Sequence, residues 1–589
     1  MRRITIAIAS GLALADAAVV TLALPPILLE LDTSVEGVAA VIGVYTAVLA
    51  LALPVSAALH GRVTGAGGAL LFAAASIGCA SAGSLELLLV MRALQAVGGA
   101  ALLAAAFDAL DGGGEGRRLW IGAAVAGTAA GPALGGVLTD LFDWRAIFIA
   151  QAPLALVAAP GLLTSHIPTV REALPRPPRD VFAGVALALL SGAITAVVFL
   201  LVLFLISGWS IDPLAAAAAV TVLPIAAVAG SFVRRPPATR AAAGCLLVAG
   251  GIACLALLPE ASALWTLVPQ LLAGLGMGMA FPALAGELRP ERTRAESAAL
   301  LSLRHVGITL TLFALAPLVA AKLDDQVQLA RERGTALVLD AALPPTDKLA
   351  IAPRLFADIE SDDPRDALAQ GIEREKRRVG KEQAGGVLAK ELRDLEQRLA
   401  GSELLDKLGD VLGGGSDPAD ERAELDRLGD GLDDVVLAGV DAAFTPAFVV
   451  TSGMALFAAL LLLPGFRRRD AGLVLRARQG LLAGTIGGAL LLAIAIPSVY
   501  AVADRNLRTE PVQIANPCEG RDRRSVGGVE GLAEDLVLKA LDRAACRFGS
   551  SREELVLALL DEKTRRAYER EHGVDPRSLD DLLKGVVGL

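Results

Sequence analysis

Thirteen apolar runs, each at least 18 residues long, dominate the chain: 4–28, 36–59, 67–84, 86–107, 119–139, 145–163, 181–206, 213–233, 241–258, 264–287, 297–321, 444–464 and 480–502. In lipid no water is present to satisfy backbone N–H and C=O groups, so a run of this length must close its own hydrogen bonds as a helix. Hydrophobic residues make up 54% of the chain and mean hydropathy is +0.58. An ordinary soluble protein is excluded, and the expected fold is an all-α polytopic membrane protein. Met1-Arg2-Arg3 before the first run imitates a secretory signal. That run is too long, holds Asp16 and precedes twelve similar ones, so it is expected to remain as a span.

Sidedness follows from the distribution of positive charge. With the N-terminus in the cytoplasm, the inner segments carry 19 Arg residues, among them Arg2, Arg62, Arg117, Arg171, Arg234, Arg289 and Arg467. The short outer loops carry none, apart from Arg145 at a helix edge. Basic residues concentrate on the cytoplasmic side of membrane proteins. Trp120, Trp144, Trp209 and Trp265 all fall at run ends, where amphipathic rings settle. A cell-membrane protein with a cytoplasmic N-terminus and an extracytoplasmic C-terminus is expected.

Six runs (1–163) precede a Pro- and Arg-rich cytoplasmic linker, 164–180, and six more follow in 181–323 and 444–465. Six plus six is the arrangement of transporters made from two halves. An acidic insertion, 324–443, interrupts the second half, with 28 Asp/Glu against 16 Lys/Arg. Its net charge is −12, against −9 for the whole chain, so acidity is local and nothing suggests a nucleic-acid partner. Helices are expected around 367–379, 388–399 and 420–430. After the cytoplasmic loop 466–479 and the extra span 480–502, the tail 503–589 is expected to form about three helices, one of them over 555–570. Ser551-Arg-Glu-Glu554 fits a capping box at its start. Cys518 and Cys546, 28 positions apart in the exported tail, are expected to pair, with two free thiols as the alternative.

Neither soluble piece holds a nucleophile elbow, a phosphate loop or metal-ligand spacing, so no enzyme activity is expected. The chemistry lies in the spans. Asp16, near the middle of run one, is costly in lipid and must face a cavity or a partner. It is a reversible proton carrier or a structural carboxylate. Arg92, two turns into run four with Gln95 one turn on, needs an anion, carbonyls or water. It balances a carboxylate or clamps helices. Gln95, Gln151, Arg304 and Met279 are substrate-cavity candidates. Arg304-His305 could instead snorkel to the cytoplasm. Gly274, Gly276 and Gly278 indicate close helix packing beside Met277 and Met279.

Run five contains Gly127-Thr-Ala-Ala-Gly131-Pro132-Ala-Leu-Gly135-Gly136. Glycines four apart let helix backbones approach, and proline removes one intrahelical bond, so this helix packs closely and bends. Two halves that rock against each other need such a helix.

With these residues assembled, the chain resembles the drug:proton antiporter branch of the major facilitator superfamily. Ala15-Asp16 to Leu24-Pro25 follows its first-helix pattern, and Arg92-Ala-Leu-Gln95-Ala-Val-Gly98 its fourth-helix motif. Gly127, Gly131, Pro132, Gly135 and Gly136 match its fifth-helix antiport motif. Trp144-Arg145, Arg304-His305-Val-Gly307 and Ala443-Phe-Thr-Pro-Ala-Phe448 continue the likeness over roughly 1–323 and 440–465. The loop Gly61-Arg62-Val-Thr-Gly65-Ala66-Gly67-Gly68 departs from the gating pattern, lacking its Asp and the Arg that follows. The resemblance implies proton-coupled efflux of small amphipathic or lipophilic compounds by alternating access. In that scheme Asp16 and Arg92 couple the proton, and the gradient rather than a cofactor supplies the energy. Two other readings stand beside it: a non-transporting envelope receptor or scaffold, and a dedicated lipid or metabolite exporter with an extracytoplasmic adaptor. Membrane lipid and a small molecule are the expected partners, with a protein partner possible through 324–443 or 503–589.

Overall fold

The computed structural model describes residues 2–59, 61–110, 131–165, 181–287, 294–343, 364–385, 418–463, 475–507, 512–519 and 528–578, together with 119 and 348. Among them every regular element is a helix. They fall into two units: 1–322 with 442–508, and 323–441 with 509–589.

In the first unit the helices are α1 (Arg2–Glu30), α2 (Val35–Ala58), α3 (Arg62–Ala80) and α4 (Leu85–Leu110). Helix α5 is described over 131–141. There follow α6 (Arg145–Leu163), α7 (Val181–Gly208), α8 (Pro213–Ser231), α9 (Pro237–Leu255) and α10 (Ala263–Ala285). Then come α11 (Arg294–Asp340), and, after α12 (Pro364–Gly385), α13 (Pro418–Leu461) and α14 (Leu475–Leu507). Twelve helices among the described residues are long and apolar enough to cross a membrane. Only α5 of the thirteen expected spans is missing from that number, because its first part lies outside the described residues.

Local sequence explains the boundaries. Ser34 caps α2 by accepting from the Gly37 amide. Asp212 caps α8 by accepting from the amides of Leu214 and Ala215, ahead of Pro213 at the first helical position, where the missing N–H costs nothing. In α1 a single turn of tighter helix at Thr21–Ala23 precedes Pro25 and Pro26, which lack the N–H groups to continue the regular ladder. Where α10 packs against its neighbours, a Cβ on Gly274 would lie 2.2 Å from the Leu223 carbonyl, and one on Gly276 2.4 Å from that of Gly244. These glycines let α10 sit between α8 and α9 at backbone contact.

In the second unit, Leu425, Leu428, Leu432 and Val435 of α13 are buried with Ala330 and Val338 of α11 and with Leu368 and Ile372 of α12. The 3–4–3 spacing on α13 is the seam of helices packed side by side. It also corrects the expected short helix at 420–430. No glycine–proline break intervenes between that stripe and run twelve, so one helix covers both. The expected helix at 388–399 lies outside the described residues. The tail contributes α15 (Gly528–Phe548), α16 (Arg552–Leu560) and α17 (Glu562–His572). A single helix over 555–570 was expected, yet Asp561 is extended and caps α17, accepting from the Thr564 amide at 2.7 Å. Aspartate competes with the helix for its own amides, which is why the chain breaks there. Ser551 accepts from the Glu554 amide at 3.0 Å as the capping box requires. Cys518 and Cys546 are bonded, with Cα atoms 5.0 Å apart.

Candidate functional site: a closed polar ring beside a shared cavity

Asp16, Arg92, Gln95 and Gln151 come from α1, α4 and α6, and each is at most 1% exposed. Arg92 Nη2 lies 2.6 Å from Asp16 Oδ2. Arg92 Nη1 donates to Gln95 Oε1 at 2.7 Å. Gln95 Nε2 donates to Gln151 Oε1 at 2.7 Å, and Gln151 Nε2 returns to Asp16 Oδ1 at 3.0 Å. The four side chains therefore close a ring. Arg92 Nε is spent on the Val41 carbonyl at 3.1 Å, and Gln95 also donates to Ser76 Oγ at 2.9 Å. Such a pair is costly to desolvate, and removing one partner leaves the other charge buried and uncompensated, at about 3–5 kcal/mol.

The sequence reading treated Asp16 and Arg92 as a coupled pair; the geometry brings them to ion-pair distance and adds both glutamines. What it did not find is Tyr45. Its ring lies under the Arg92 guanidinium at 4.4 Å, and its hydroxyl donates to the Ala13 carbonyl at 2.9 Å. The signal was present: the chain has only three tyrosines, and Tyr45 alone falls in the middle of a run.

A cavity lies between the two sets of helices, lined by Ala13, Ala17 and Thr21 of α1, Tyr45 and Thr46 of α2, and by residues of α7, α8, α10 and α11. Neither Asp16 nor Arg92 is among its lining residues; Tyr45 is, and it forms the partition between the ring and the cavity. Of the four cavity candidates, Arg304 lines it, while Gln95 and Gln151 belong to the ring. Met279 is buried away from the lining and Met277 takes its place. The reason is helical phase: two residues turn a helix by about 200°, so neighbours i and i+2 face opposite ways. The volume is about 60 Å³, room for roughly two waters at about 30 Å³ each. A drug-sized molecule needs several hundred Å³, so this conformation is nearly closed.

The two sets of helices meet at polar contacts. Thr46 Oγ1 of α2 and Thr309 Oγ1 of α11 are 2.9 Å apart, and Ser302 Oγ donates to the Ala50 carbonyl at 2.6 Å. The fifth-helix motif packs at another seam. A Cβ on Gly135 would stand 2.2 Å from the Val19 carbonyl, and one on Gly136 2.3 Å from Ala217 Cβ of α8. Gly131 faces Ala18 at 3.1 Å, Pro132 lines the cavity, and Gly127 lies outside the described residues. At Gly135 and Gly136 no larger side chain fits against α1 and α8 without a shift.

The chain is similar to known proteins. The family model of the Major Facilitator Superfamily matches residues 6–302. The uncharacterized MFS-type transporter YvkA of Bacillus subtilis is 32% identical over 199 residues, which is 31% of this chain and 43% of that protein. The multidrug resistance protein Stp of Mycobacterium tuberculosis is 34% identical over 25% of this chain and 30% of its own length. The multidrug efflux pump LfrA of Mycolicibacterium smegmatis is 33% identical over 28% and 34%. The match thus spans less than half the length of these relatives. Among solved structures, a bacterial homolog to the human lysosomal transporter Spinster, inward-facing and occupied, superposes with a TM-score of 0.50 at 14% identity. That alignment covers 79% of this chain and 96% of the other, which is a likeness of fold alone. A matched model over half of the chain, on a helical membrane fold with a cavity between its halves, places the chain in the Major Facilitator Superfamily of transporters, with resemblance to its multidrug-efflux branch.

Proposed function

We propose that the protein is a proton-coupled exporter of small lipophilic or amphipathic compounds, working by alternating access from the cytoplasmic side. The observation that carries this reading is the closed ring of Asp16, Arg92, Gln95 and Gln151, wholly buried one tyrosine away from the shared cavity. Protonating Asp16 removes the charge that holds Arg92 at 2.6 Å. The released guanidinium then seeks another partner, and α1 and α4 are free to shift against each other. A ligand drives such a change only through different affinity for the two states. Here the ligand is the proton, and the two states differ in whether the pair is made.

The names of Stp and LfrA support efflux of drug-like molecules, and the apolar lining supports a lipophilic cargo. The disulfide between Cys518 and Cys546 supports an extracytoplasmic C-terminus, since such bonds persist in oxidising compartments. The shared cavity favours a transporter over a silent scaffold.

The test is flux in proteoliposomes under an imposed pH gradient, comparing the natural protein with Asp16→Asn. We expect gradient-driven flux to fall by about tenfold or more, because the variant keeps the shape but leaves Arg92 without its counter-charge. Unchanged gradient-driven flux removes Asp16 from coupling, and absence of flux in the natural protein under any gradient refutes the exporter.

A further inference from the structure

The cavity lining carries an asymmetry of charge. Among the described residues that line it, Arg304 is the one charged side chain. No carboxylate among the described residues pairs with it; its guanidinium stands over the Phe281 ring at 5.8 Å. The carboxylate nearest in kind, Asp16, is absent from the lining and already committed to Arg92.

Of the other polar groups at the cavity, Thr21, Tyr45 and Thr46 are committed to carbonyls, and the Thr195 hydroxyl, also in the lining, is neutral. Thr21 donates to the Ala17 carbonyl at 2.6 Å, Tyr45 to that of Ala13 at 2.9 Å, and Thr46 to that of Ile42 at 3.1 Å. His305 Nδ1 bonds the Leu301 carbonyl at 2.7 Å, which leaves Nε2 of the neutral ring as an acceptor. The unspent charge is therefore that of a guanidinium, with five N–H donors in a planar fork and a charge it does not surrender, beside the neutral Thr195 hydroxyl and His305 Nε2. Around it stand aliphatic side chains, Met277 and Phe281. Such a wall repels an organic cation, which finds no anion there and one like charge. It suits an apolar body bearing a single negative group.

We infer that the cavity selects lipophilic anions, molecules with an apolar body and one carboxylate, sulfonate or phosphate-type group, and that Arg304 is the residue that pairs with that group. The inference rests on the exporter reading, because the cavity of about 60 Å³ must open to admit a probe, but the preference is measured by binding, without transport. It also separates this chain from a pump for cationic drugs.

The experiment is equilibrium binding to the full chain in lipid nanodiscs, with three probes of similar apolar size: 1-anilinonaphthalene-8-sulfonate, its uncharged sulfonamide, and an arylnaphthalene carrying a quaternary ammonium. Empty nanodiscs supply the partition background. We expect specific binding in the order anion, neutral, cation, with at least about tenfold between the first and last. Arg304→Gln should abolish the order and Arg304→Lys should preserve it in weaker form. Any other order in the natural protein, equal binding of the three probes, or no specific binding overturns the inference, and none of these outcomes needs a variant to fold. An order that survives Arg304→Gln overturns the role of Arg304. Flux of the bound probe under a pH gradient is read separately. Anion preference without flux sinks the exporter and leaves the cavity chemistry standing, whereas gradient-driven flux of the cation alone does the reverse.

Discussion

Tyr45 does two things at once. It lies under Arg92 at 4.4 Å and faces the cavity on its other side, so it decides whether cavity water reaches the ion pair. Tyr45→Phe keeps the ring and loses only the bond to the Ala13 carbonyl. It should lower stability by about 1 kcal/mol, the net worth of one buried hydrogen bond, and leave coupling intact. Tyr45→Ala removes the partition, and flux should continue without dependence on the pH gradient. Thermal unfolding in detergent reads the first outcome and proteoliposome flux the second. A different residue sets the acid behaviour of the second unit. Glu332 on α11 is pushed up to about 7 from an ordinary 4.5 by burial first and then by Glu554 and Glu553. The folded state therefore favours its neutral form. Stability is fully present below about pH 4.5 and is lost as pH rises through about 7. Discounted for the part of the side chain left in water, the effect is about 2 kcal/mol. Glu562 works in the opposite direction, held down to about 2 by Arg565, so its contribution is lost on further acidification. A melting temperature of the second unit that rises from pH 7.5 to 5, with a slope flattened by Glu332→Gln, is the expected record; an unchanged slope in that variant assigns the effect elsewhere. The carboxylate and guanidinium of the ring were legible because charge in an apolar run announces itself. Tyr45 and Glu332 were not, since their roles depend on what lies across from them on other helices.

At the level of helices, glycine spacing was the most readable feature of the chain. Close approach of α5 was expected, and Gly135 and Gly136 meet Val19 and Ala217 at distances that leave no room for a Cβ. What spacing did not reveal was the partner of each glycine, because several helices could have offered a groove. Gly136→Val should reduce flux by about tenfold or more, as the added branches must push α5 away from α8. Gly453→Ala on α13 is the control. Nothing lies within 4 Å of its added Cβ, so flux should be unchanged and stability within about 0.5 kcal/mol. Equal loss in both variants would show that glycine content in general matters, rather than this seam. The length of α11 and α13 was misjudged for a related reason. A hydropathy run ends where polarity begins, but a helix ends only where its backbone bonds do. The mixed-charge stretches 323–340 and 418–441 carry no break, and the helices continue. Helix α14 shows the reverse: its length was plain from composition, whereas its place was not. It rests on α9 and α10: a Cβ on Gly250 of α9 would meet Ala493 Cα at 2.5 Å, and Tyr500 donates to the carbonyl of Trp265 on α10 at 2.7 Å.

The whole molecule joins a membrane unit of major-facilitator type to a separately packed helical unit, and the candidate site lies in the membrane unit. Its cavity, at about 60 Å³, is too small for cargo as it stands, so the proposed transport requires that the halves part. The contacts that must break are Thr46 with Thr309, and Ser302 with the Ala50 carbonyl. The most direct measurement replaces Thr46 and Thr309 by cysteine, oxidises the pair in proteoliposomes, and follows flux before and after reduction. The remaining free cysteines, Cys79, Cys245 and Cys254, are buried. Locking α2 to α11 should stop flux, and reduction should restore it. Flux that persists at the natural rate through the cross-linked protein would mean that the halves need not separate there, and that alternating access through this cavity is the wrong description.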